Sequence, residues 1–367
     1  MYNFRRGLLQ RLVSEGAQVS VLAPRDDCSD LLRALGCQVI DLEMSARGVS
    51  PRADLQLMQN YREHLRRLRP ELLVTYTIKP NIFGVLAAHR MGIPTLAVTT
   101  GLGYTFINEN FVAKTARFLY RRAFRYPLQV WFLNEEDRKS FLSFKLVQAE
   151  RAVTLPGEGI DLQHFQPKPP AQAYAGFRFL LIARMLWDKG VGEYVEAARL
   201  LKATHPGVEF QLLGQLGANN PSAVSNTQMD SWSKDGLVTY LGVSTDVRPW
   251  IAAADCVVLP SYREGIPRTL MEAAAMEKPL IATNVPGCRD VVADGVNGLL
   301  CRVRDAGDLA EKMRQMLDMP RNRRSAMGFA SRRYMAERFD EQTVINRYME
   351  FFTAHGWRRE VAGDQSS

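Results

Sequence analysis

Apolar residues occur along this chain in two alternating patterns. Short runs rich in Val, Leu and Ile ("QVSVLAP", "CQVIDLE", "ELLVTYT", "PTLAVTT", "LQVWFLN", "AVTLPG") are separated by stretches in which apolar positions recur with the 3.6-residue period of a helix. Apolar strands alternating with helices predict a parallel sheet covered on both faces. A break rich in proline and glycine, "LQHFQPKPPAQAYAG", interrupts the pattern, which then restarts with "FRFLLIA", "VEFQLLG", "LVTYLG", "DCVVLP", "KPLIAT" and "NGLLCR". The prediction is an α/β chain of two Rossmann-like domains, residues 1–165 and 166–338. Residues 339–367 follow as a helix that packs back on the first domain and then a frayed tail, "AGDQSS". Ligands of such sheets sit beyond the carboxyl ends of the strands, so two domains facing across a cleft place the expected site in that cleft.

The first domain starts out of step. "MYNFRRGLLQRLVSEGAQVSVLAP" reads as a helix and then a strand, whereas a Rossmann-like domain opens with a strand and a glycine-containing loop. A missing central strand leaves buried backbone groups unpaired, each at about 1 to 3 kcal/mol. The expectation is a chain shortened at its N-terminus, with its second domain intact and its function impaired.

Composition narrows the partners. At 367 residues and 46% hydrophobic content the chain can bury two ordinary cores. Its five cysteines are scattered without a Cys-x-x-Cys pair, which argues against a disulfide framework or zinc site and fits a reducing cytoplasm. No apolar run approaches the roughly 18 to 20 residues that span a bilayer, and charges interrupt the N-terminus too often for a signal peptide. A net charge of +8 calls for an anionic partner. Nucleic acid is disfavoured, because the aromatics do not interleave with the basic residues as a stacking platform requires. The five histidines have no ligand spacing and the acidic pair of "PRDDC" lacks Asp-x-Asp spacing, so no metal is expected.

Candidate chemistry concentrates in "DCVVLPSYREGIPRTLMEAAAM", which reads as strand, loop and helix. Pro267 suits the first helical turn, and the helix N-terminus favours an anion. Glu264 in the loop and Glu272 one turn inside can accept hydrogen bonds from hydroxyls held beside that anion. A sugar nucleotide offers both kinds of group. On residue types alone, a solvated loop glutamate and a glutamate favoured by the helix dipole account for the pair as well.

The surrounding motifs carry a resemblance. Glu264, seven residues and Glu272, together with "ARMLWDKG", "GVNGLLC" and "LPGEGIDLQHFQP", resemble the retaining glycosyltransferases of family 4, which have the GT-B fold. The resemblance implies that Glu272 accepts hydrogen bonds from the ribose hydroxyls of a UDP-sugar and that Glu264 faces the donor sugar. It implies that Arg184 and Lys189 contact the diphosphate and stabilise the charge that develops as it leaves. Gly265, Ile266, Arg268 and Thr269 complete the nucleotide-sugar site, with neither metal nor cofactor. Retention then follows front-side attack, the leaving phosphate accepting the acceptor's proton. Three positions depart from the family. Glu158 stands where Asn is commoner. Pro267 replaces a usual glycine, with Arg268 to compensate for the lost N–H. Thr100 replaces a histidine ahead of Gly101 and keeps a hydroxyl for the sugar.

"TYTIKPNIFGVLAAHRMGIPTLAVTTGLGYTF" and "EGIPRTLMEAAAMEKPLIATNVPGC" are most similar to enzymes that add hexose or N-acetylhexosamine to polyprenyl-diphosphate-linked saccharides in bacterial surface-glycan or glycoprotein-glycan assembly. Lys79 would then meet the diphosphate of the lipid-linked saccharide acceptor. Such an acceptor requires an anionic membrane surface. In "FVAKTARFLYRRAFRY", Lys114, Arg117, Arg121, Arg122 and Arg125 fall on one helical arc with Phe111 and Phe118, while Val112, Ala116, Leu119, Tyr120 and Ala123 fall opposite, to pack on the domain. The expected location is cytoplasmic, peripheral on the inner face of the membrane. Two other readings stay open: a non-catalytic relative that only binds nucleotide, and an epimerase-like GT-B protein, which would need acid and base groups at the sugar ring.

Overall fold

The computed structural model describes residues 1–44, 50–101, 111–169, 176–217 and 220–357, without the side chains of Asn3 and Phe111. The tail, part of the proline-rich break and the Phe111 side chain therefore lie outside the described residues. The chain forms two compact units, Met1–Gly159 with Glu341–Ser367, and Ile160–Asp340. Each of the quoted apolar runs contains a strand.

The second unit is a six-stranded parallel sheet. In chain order its strands are β7 (Phe177–Ile182), β8 (Val208–Leu213), β9 (Thr239–Tyr240), β10 (Cys256–Leu259), β11 (Leu280–Thr283) and β12 (Gly298–Cys301). Their spatial order is β12-β11-β10-β7-β8-β9. The order reverses between β7 and β10, which are neighbours, and such a switch point leaves a crevice at the strands' carboxyl ends. Alternation explains why these strands read as unbroken apolar runs. Cys256 and Val258 of β10 enter the core under α7 (Val191–Lys202), α8 (Asn226–Lys234) and α12 (Ala306–Asp318). Val257 and Leu259 enter the opposite core, under α9 (Arg248–Ala253), α10 (Arg268–Ala275), α11 (Cys288–Val291) and α13 (Arg321–Arg338). Both faces are buried, so neither set of side chains is polar.

The first unit carries β1 (Ser20–Ala23) paired with β2 (Gln38–Asp41), and a parallel set of β3 (Leu73–Tyr76), β4 (Thr95–Thr99), β5 (Gln129–Phe132) and β6 (Ala152–Thr154). Helices α1 (Tyr2–Ser14), α2 (Ser29–Ala34), α3 (Pro51–Leu68), α4 (Val85–His89), α5 (Phe111–Ala123) and α6 (Glu135–Ser143) connect or precede these strands. The last helix, α14 (Glu341–Ala354), belongs to this unit and packs on α1. No described helix is long and apolar enough to cross a membrane.

A buried polar cluster joins four segments of the first unit. Arg5, where α1 kinks with φ −141°, ion-pairs with Glu158 beyond β6 and lies 3.6 Å from the ring centroid of Tyr76 at the end of β3. The Tyr76 hydroxyl lies 3.3 Å from that of Tyr348 on α14, whose ring packs against Trp131 of β5. Glu158 Oε2 is buried with no hydrogen-bond partner among the described residues. Glu158, one of the three departures from the resemblance, is therefore matched to a buried arginine. Removing one partner of such a pair leaves an uncompensated charge, which costs more than the intact pair contributes. Arg5→Met should lower stability by about 3 kcal/mol in urea unfolding, and adding Glu158→Gln should recover most of that loss. Equal losses in the single and double variants would show that the ion pair is not what the cluster depends on.

Candidate functional site

The carboxyl ends of β7 and β10 carry two loops that are bonded to each other. The first leaves β7 through Arg184 and reaches Lys189 and Gly190, which opens α7. The second leaves β10 through Ser261 and Tyr262 to Glu264, Gly265 and Pro267. The Asp188 carbonyl accepts the Tyr262 N–H at 2.9 Å and the Ser261 hydroxyl at 3.2 Å. Thr283, the last residue of β11, donates its hydroxyl to the Ser261 carbonyl. Two glycines permit the close approach. Gly190 has φ 72°, and a Cβ there would meet the Pro260 carbonyl oxygen at 2.1 Å. Gly287 has φ 77°, and a Cβ there would meet the Gly265 oxygen at 2.3 Å. Any other side chain would push these backbone segments apart.

This packing brings each candidate glutamate to a cation. Lys189 Nζ lies 2.5 Å from Glu264 Oε1, across the two loops. Arg268 Nε donates to Glu272 Oε1 at 2.8 Å, one turn apart on α10. Glu272 is only 8% exposed, and burial pushes its carboxyl above the ordinary range, against the opposing pull of Arg268. Asp246 adds to the upward push. That aspartate is itself held low by its hydrogen bonds to Arg248, at 2.8 Å from each of two guanidinium nitrogens. Arg184 is exposed at the end of β7 and makes no side-chain hydrogen bond or ion pair among the described residues. Ile266 and Thr269 are half-buried beside the pairs.

The structure gives the other expected residues their surroundings, and it moves Pro267 from the first turn to the N-cap. Pro267 is the N-cap of α10 rather than a residue of its first turn, with ψ 105°, and its carbonyl accepts the Leu270 and Met271 N–H groups at 3.2 Å. Its missing N–H lies just ahead of the turn that offers free donors. Arg268 does not stand free at the helix start, because Glu272 holds it. In the first unit, Lys79 is partly buried and paired with Asp54 at 2.9 Å. Thr100 is half-buried just past β4. The cationic arc of α5 is not uniformly free. Arg117 lies over the Phe144 ring at 4.1 Å, and Arg121 donates to the Phe144 carbonyl at 3.0 Å. Lys114, Arg122 and Arg125 are exposed, and Phe118 beside them is 64% exposed. On the opposite arc Ala116, Tyr120 and Ala123 are buried, but Val112, expected to pack on the domain, is 43% exposed.

Residues not singled out by sequence complete the site. The Tyr262 hydroxyl donates to Glu193 Oε1 at 2.6 Å, tying the second loop to α7, and the Arg304 guanidinium lies 4.6 Å from the Tyr262 ring centroid. Gly190 in "DKG" and Gly287 in "VPG" carried a local turn signal. The Tyr262–Glu193 contact carried none, because its partners lie 69 residues apart.

Two units built on parallel strands, the second with a switch point between β7 and β10, have the layout of the GT-B fold of glycosyltransferases. Similarity to known proteins places the chain within that class. Residues 3–158 match the family "Glycosyl transferase 4-like domain" and residues 176–319 match "Glycosyl transferases group 1". The chain is 30% identical to the N,N'-diacetylbacillosaminyl-diphospho-undecaprenol alpha-1,3-N-acetylgalactosaminyltransferase of Campylobacter jejuni, over 96% of this chain and 95% of the relative. It is 24% identical to the UDP-Gal:alpha-D-GlcNAc-diphosphoundecaprenol alpha-1,3-galactosyltransferase of Escherichia coli, over 74% and 73%. Among solved structures, Anabaena Alr3699/HepE in complex with UDP-glucose superposes with a TM-score of 0.79 at 19% identity, covering 95% of this chain and 94% of that one. Sucrose-phosphate synthase (tll1590) from Thermosynechococcus elongatus superposes with a TM-score of 0.79 at 19% identity, covering 96% and 93%. The chain belongs to the glycosyltransferases in which a 4-like domain precedes a group 1 domain.

The raised carboxyl of Glu272 has a signed consequence for stability. A carboxyl whose folded value lies above its unfolded one binds its proton more tightly when folded, so stability falls as pH rises from the ordinary glutamate value through the raised one. Glu272→Gln removes that term and keeps an oxygen to accept from Arg268. Its thermal midpoint at pH 8 should lie above that of the parent, and the two should converge near pH 4, as read by differential scanning fluorimetry across pH. A lower midpoint for the variant at pH 8 would mean that the Arg268 pair outweighs the burial of the charge.

Proposed function

We propose that the protein is a retaining glycosyltransferase that moves a hexose or N-acetylhexosamine from a UDP-sugar to a polyprenyl-diphosphate-linked saccharide at the membrane surface. The observation that carries this reading is the pair of glutamates eight positions apart, each held by its own cation, at the switch point of a sheet whose chain belongs to the glycosyltransferases. Relatives named for sugar transfer to undecaprenyl-diphosphate-linked acceptors support the acceptor class, and a structural neighbour in complex with UDP-glucose supports the donor.

In this reading the existing ion pairs hold the side chains ready for ligand. Glu272 accepts hydrogen bonds from the ribose 2' and 3' hydroxyls, each charge-assisted and contributing roughly 1.5 to 3 kcal/mol. Its two carboxylate oxygens, one of them accepting from Arg268, offer lone pairs for both. Arg184, exposed at the strand end, meets the diphosphate. Lys189 stands between the diphosphate and Glu264, and its ammonium stabilises the charge that grows on the leaving group. Glu264, held by that ammonium, faces the hydroxyls of the donor sugar. The acceptor hydroxyl attacks from the side on which the leaving group departs, and a leaving phosphate oxygen takes its proton, so configuration is retained. Lys79 and Thr100 are assigned to the acceptor. Exposed Lys114, Arg122 and Arg125 with Phe118 form the membrane-facing part of α5, at about 1 kcal/mol per cation near an anionic leaflet.

Glu272→Ala should weaken UDP binding roughly a hundredfold by calorimetry, the loss of two charge-assisted bonds. Glu264→Gln should leave UDP affinity within about threefold and lower turnover a hundredfold or more, as expected of a group that acts on the transferred sugar. The decisive assay presents a panel of UDP-sugars with polyprenyl-diphosphate saccharides. Free epimerised sugar formed without acceptor would favour the epimerase reading, and UDP binding without transfer the non-catalytic one.

Membrane association has its own test. The protein should sediment with anionic vesicles at low salt and leave them as salt rises, because screening shortens the reach of surface charge. Reversing Lys114, Arg122 and Arg125 to Glu together with Phe118→Ser should abolish it. Undiminished sedimentation of that variant would remove α5 from the membrane contact.

A further inference from the structure

Glu264 stands in a loop that belongs to neither β10 nor α10, so no ladder of backbone hydrogen bonds sets its place. Its partner Lys189 ends a long flexible stem and cannot fix the backbone by itself. Two positions earlier, Tyr262 is gripped from three directions. Its N–H donates to the Asp188 carbonyl at 2.9 Å, in the segment between β7 and α7. Its hydroxyl donates to Glu193 Oε1 at 2.6 Å, in the first turn of α7. Its ring centroid lies 4.6 Å from the Arg304 guanidinium, in the segment between β12 and α12.

The two side chains that hold Tyr262 are both unusual. Glu193 Oε2 is buried without a hydrogen-bond partner among the described residues, so among them this carboxylate has one donor, the Tyr262 hydroxyl. Burial, followed by the hydrogen bond to Glu193, pushes the Tyr262 phenol above its ordinary range, which keeps the hydroxyl a donor. Arg304 has φ 58°, in the left-handed region that a side chain disfavours, and its guanidinium makes no hydrogen bond or ion pair among the described residues. Its neighbours impose that turn. The Arg302 N–H donates to the Asp308 carboxylate at 2.6 Å, and Asp305 caps α12 by accepting the Asp308 N–H at 2.8 Å. Conformations of this kind persist where the surroundings over-determine them, and they gather at functional sites. Here the strained residue carries its guanidinium to the Tyr262 ring.

We propose that Tyr262 is a positioning residue, braced by Glu193 and Arg304 so that the loop presents Glu264 to the transferred sugar. This rests on the reading in which Glu264 faces that sugar. A shift of Tyr262 passes through one intervening residue, Arg263, to Glu264, and a displacement of about 1 Å at a reacting group can cost up to about a hundredfold in rate. The nucleotide contacts are insulated from such a shift, because Arg268 and Glu272 stand on α10, which has its own hydrogen-bond ladder. The brace therefore acts on turnover and not on nucleotide affinity.

Tyr262→Phe keeps the ring and removes the bond to Glu193. It should lower kcat about tenfold and leave the calorimetric Kd for UDP within about twofold, with turnover read on the UDP-sugar and polyprenyl-diphosphate saccharide that the panel selects. Glu193→Gln retains an oxygen to accept from Tyr262 and should keep kcat within about twofold of the parent, whereas Glu193→Met should match Tyr262→Phe. In a Glu264→Gln background, Tyr262→Phe should cost no more than about twofold further, because the group it positions has gone. The proposal is overturned by parent kcat in Tyr262→Phe, by an equal loss of UDP affinity and turnover, by a Glu193→Gln that falls as far as Glu193→Met, or by an undiminished effect of Tyr262→Phe in the Glu264→Gln background. Glu264→Gln alone tells the two failures apart: parent turnover there overturns the reading of Glu264 and the proposal with it. Should Tyr262→Phe fail to fold, Arg304→Gly takes its place, since glycine adopts φ 58° without strain and removes the guanidinium from the ring. A fall in kcat of about threefold at unchanged UDP affinity then supports the brace, and parent kcat overturns it.

Discussion

The close backbone approach at the carboxyl ends of β7, β10 and β11 is the constraint on which the candidate site depends. A side chain at position 190 would collide with the Pro260 carbonyl and one at 287 with that of Gly265. With glycine at both, the Asp188 carbonyl can reach the Tyr262 amide and Ser261 hydroxyl, and Thr283 can reach Ser261. The Lys189–Glu264 pair follows from that contact, since its two residues are 75 positions apart and share no element. A rigid backbone sets the geometry first, and the long side chains then lose little further freedom in meeting.

Charge in the second unit is arranged at a cost to the fold. Glu272 is buried, its carboxyl is pushed upward, and Asp246 stands close enough to add to the push. A core chosen for stability alone would carry an apolar residue there. The hydroxyl-accepting role proposed for Glu272 would account for that cost, because a desolvated, preorganised acceptor makes strong hydrogen bonds with its ligand. The first unit handles buried charge differently. Arg5 and Glu158 neutralise each other beneath Tyr76 and Tyr348, and their partners come from α1, β3, the segment after β6 and α14. That cluster anchors the chain's last helix to its first.

The two units differ in how their strands pair. In the second unit the strand order is continuous through the switch point, and β10 is buried on both faces. In the first, β1 pairs with β2, and β3, β4, β5 and β6 form a separate parallel set, with no backbone hydrogen bond between the two sets among the described residues. The helix layers can form because their packing on β1 through β6 does not require the two strand sets to bond.

The sequence by itself determined the α/β class and the positions of the strands, because continuous apolar runs and helical periodicity are local consequences of burial on two faces, whereas the two units divide at Gly159 and Ile160, ahead of the expected boundary at 165. It also determined where the carboxylates stand, since the spacing of Glu264 and Glu272 around a strand-to-helix turn is local. Tertiary structure alone decided what they meet. Lys189 reaches Glu264, and Tyr262 reaches Glu193, only because the sheet places β7 beside β10. The same holds for α5, where periodicity placed five cations on one arc but the neighbouring Phe144 engages two of them, Arg117 through its ring and Arg121 through its carbonyl. Periodicity fixes which side of a helix a residue occupies, and only the packed neighbours fix what that side touches.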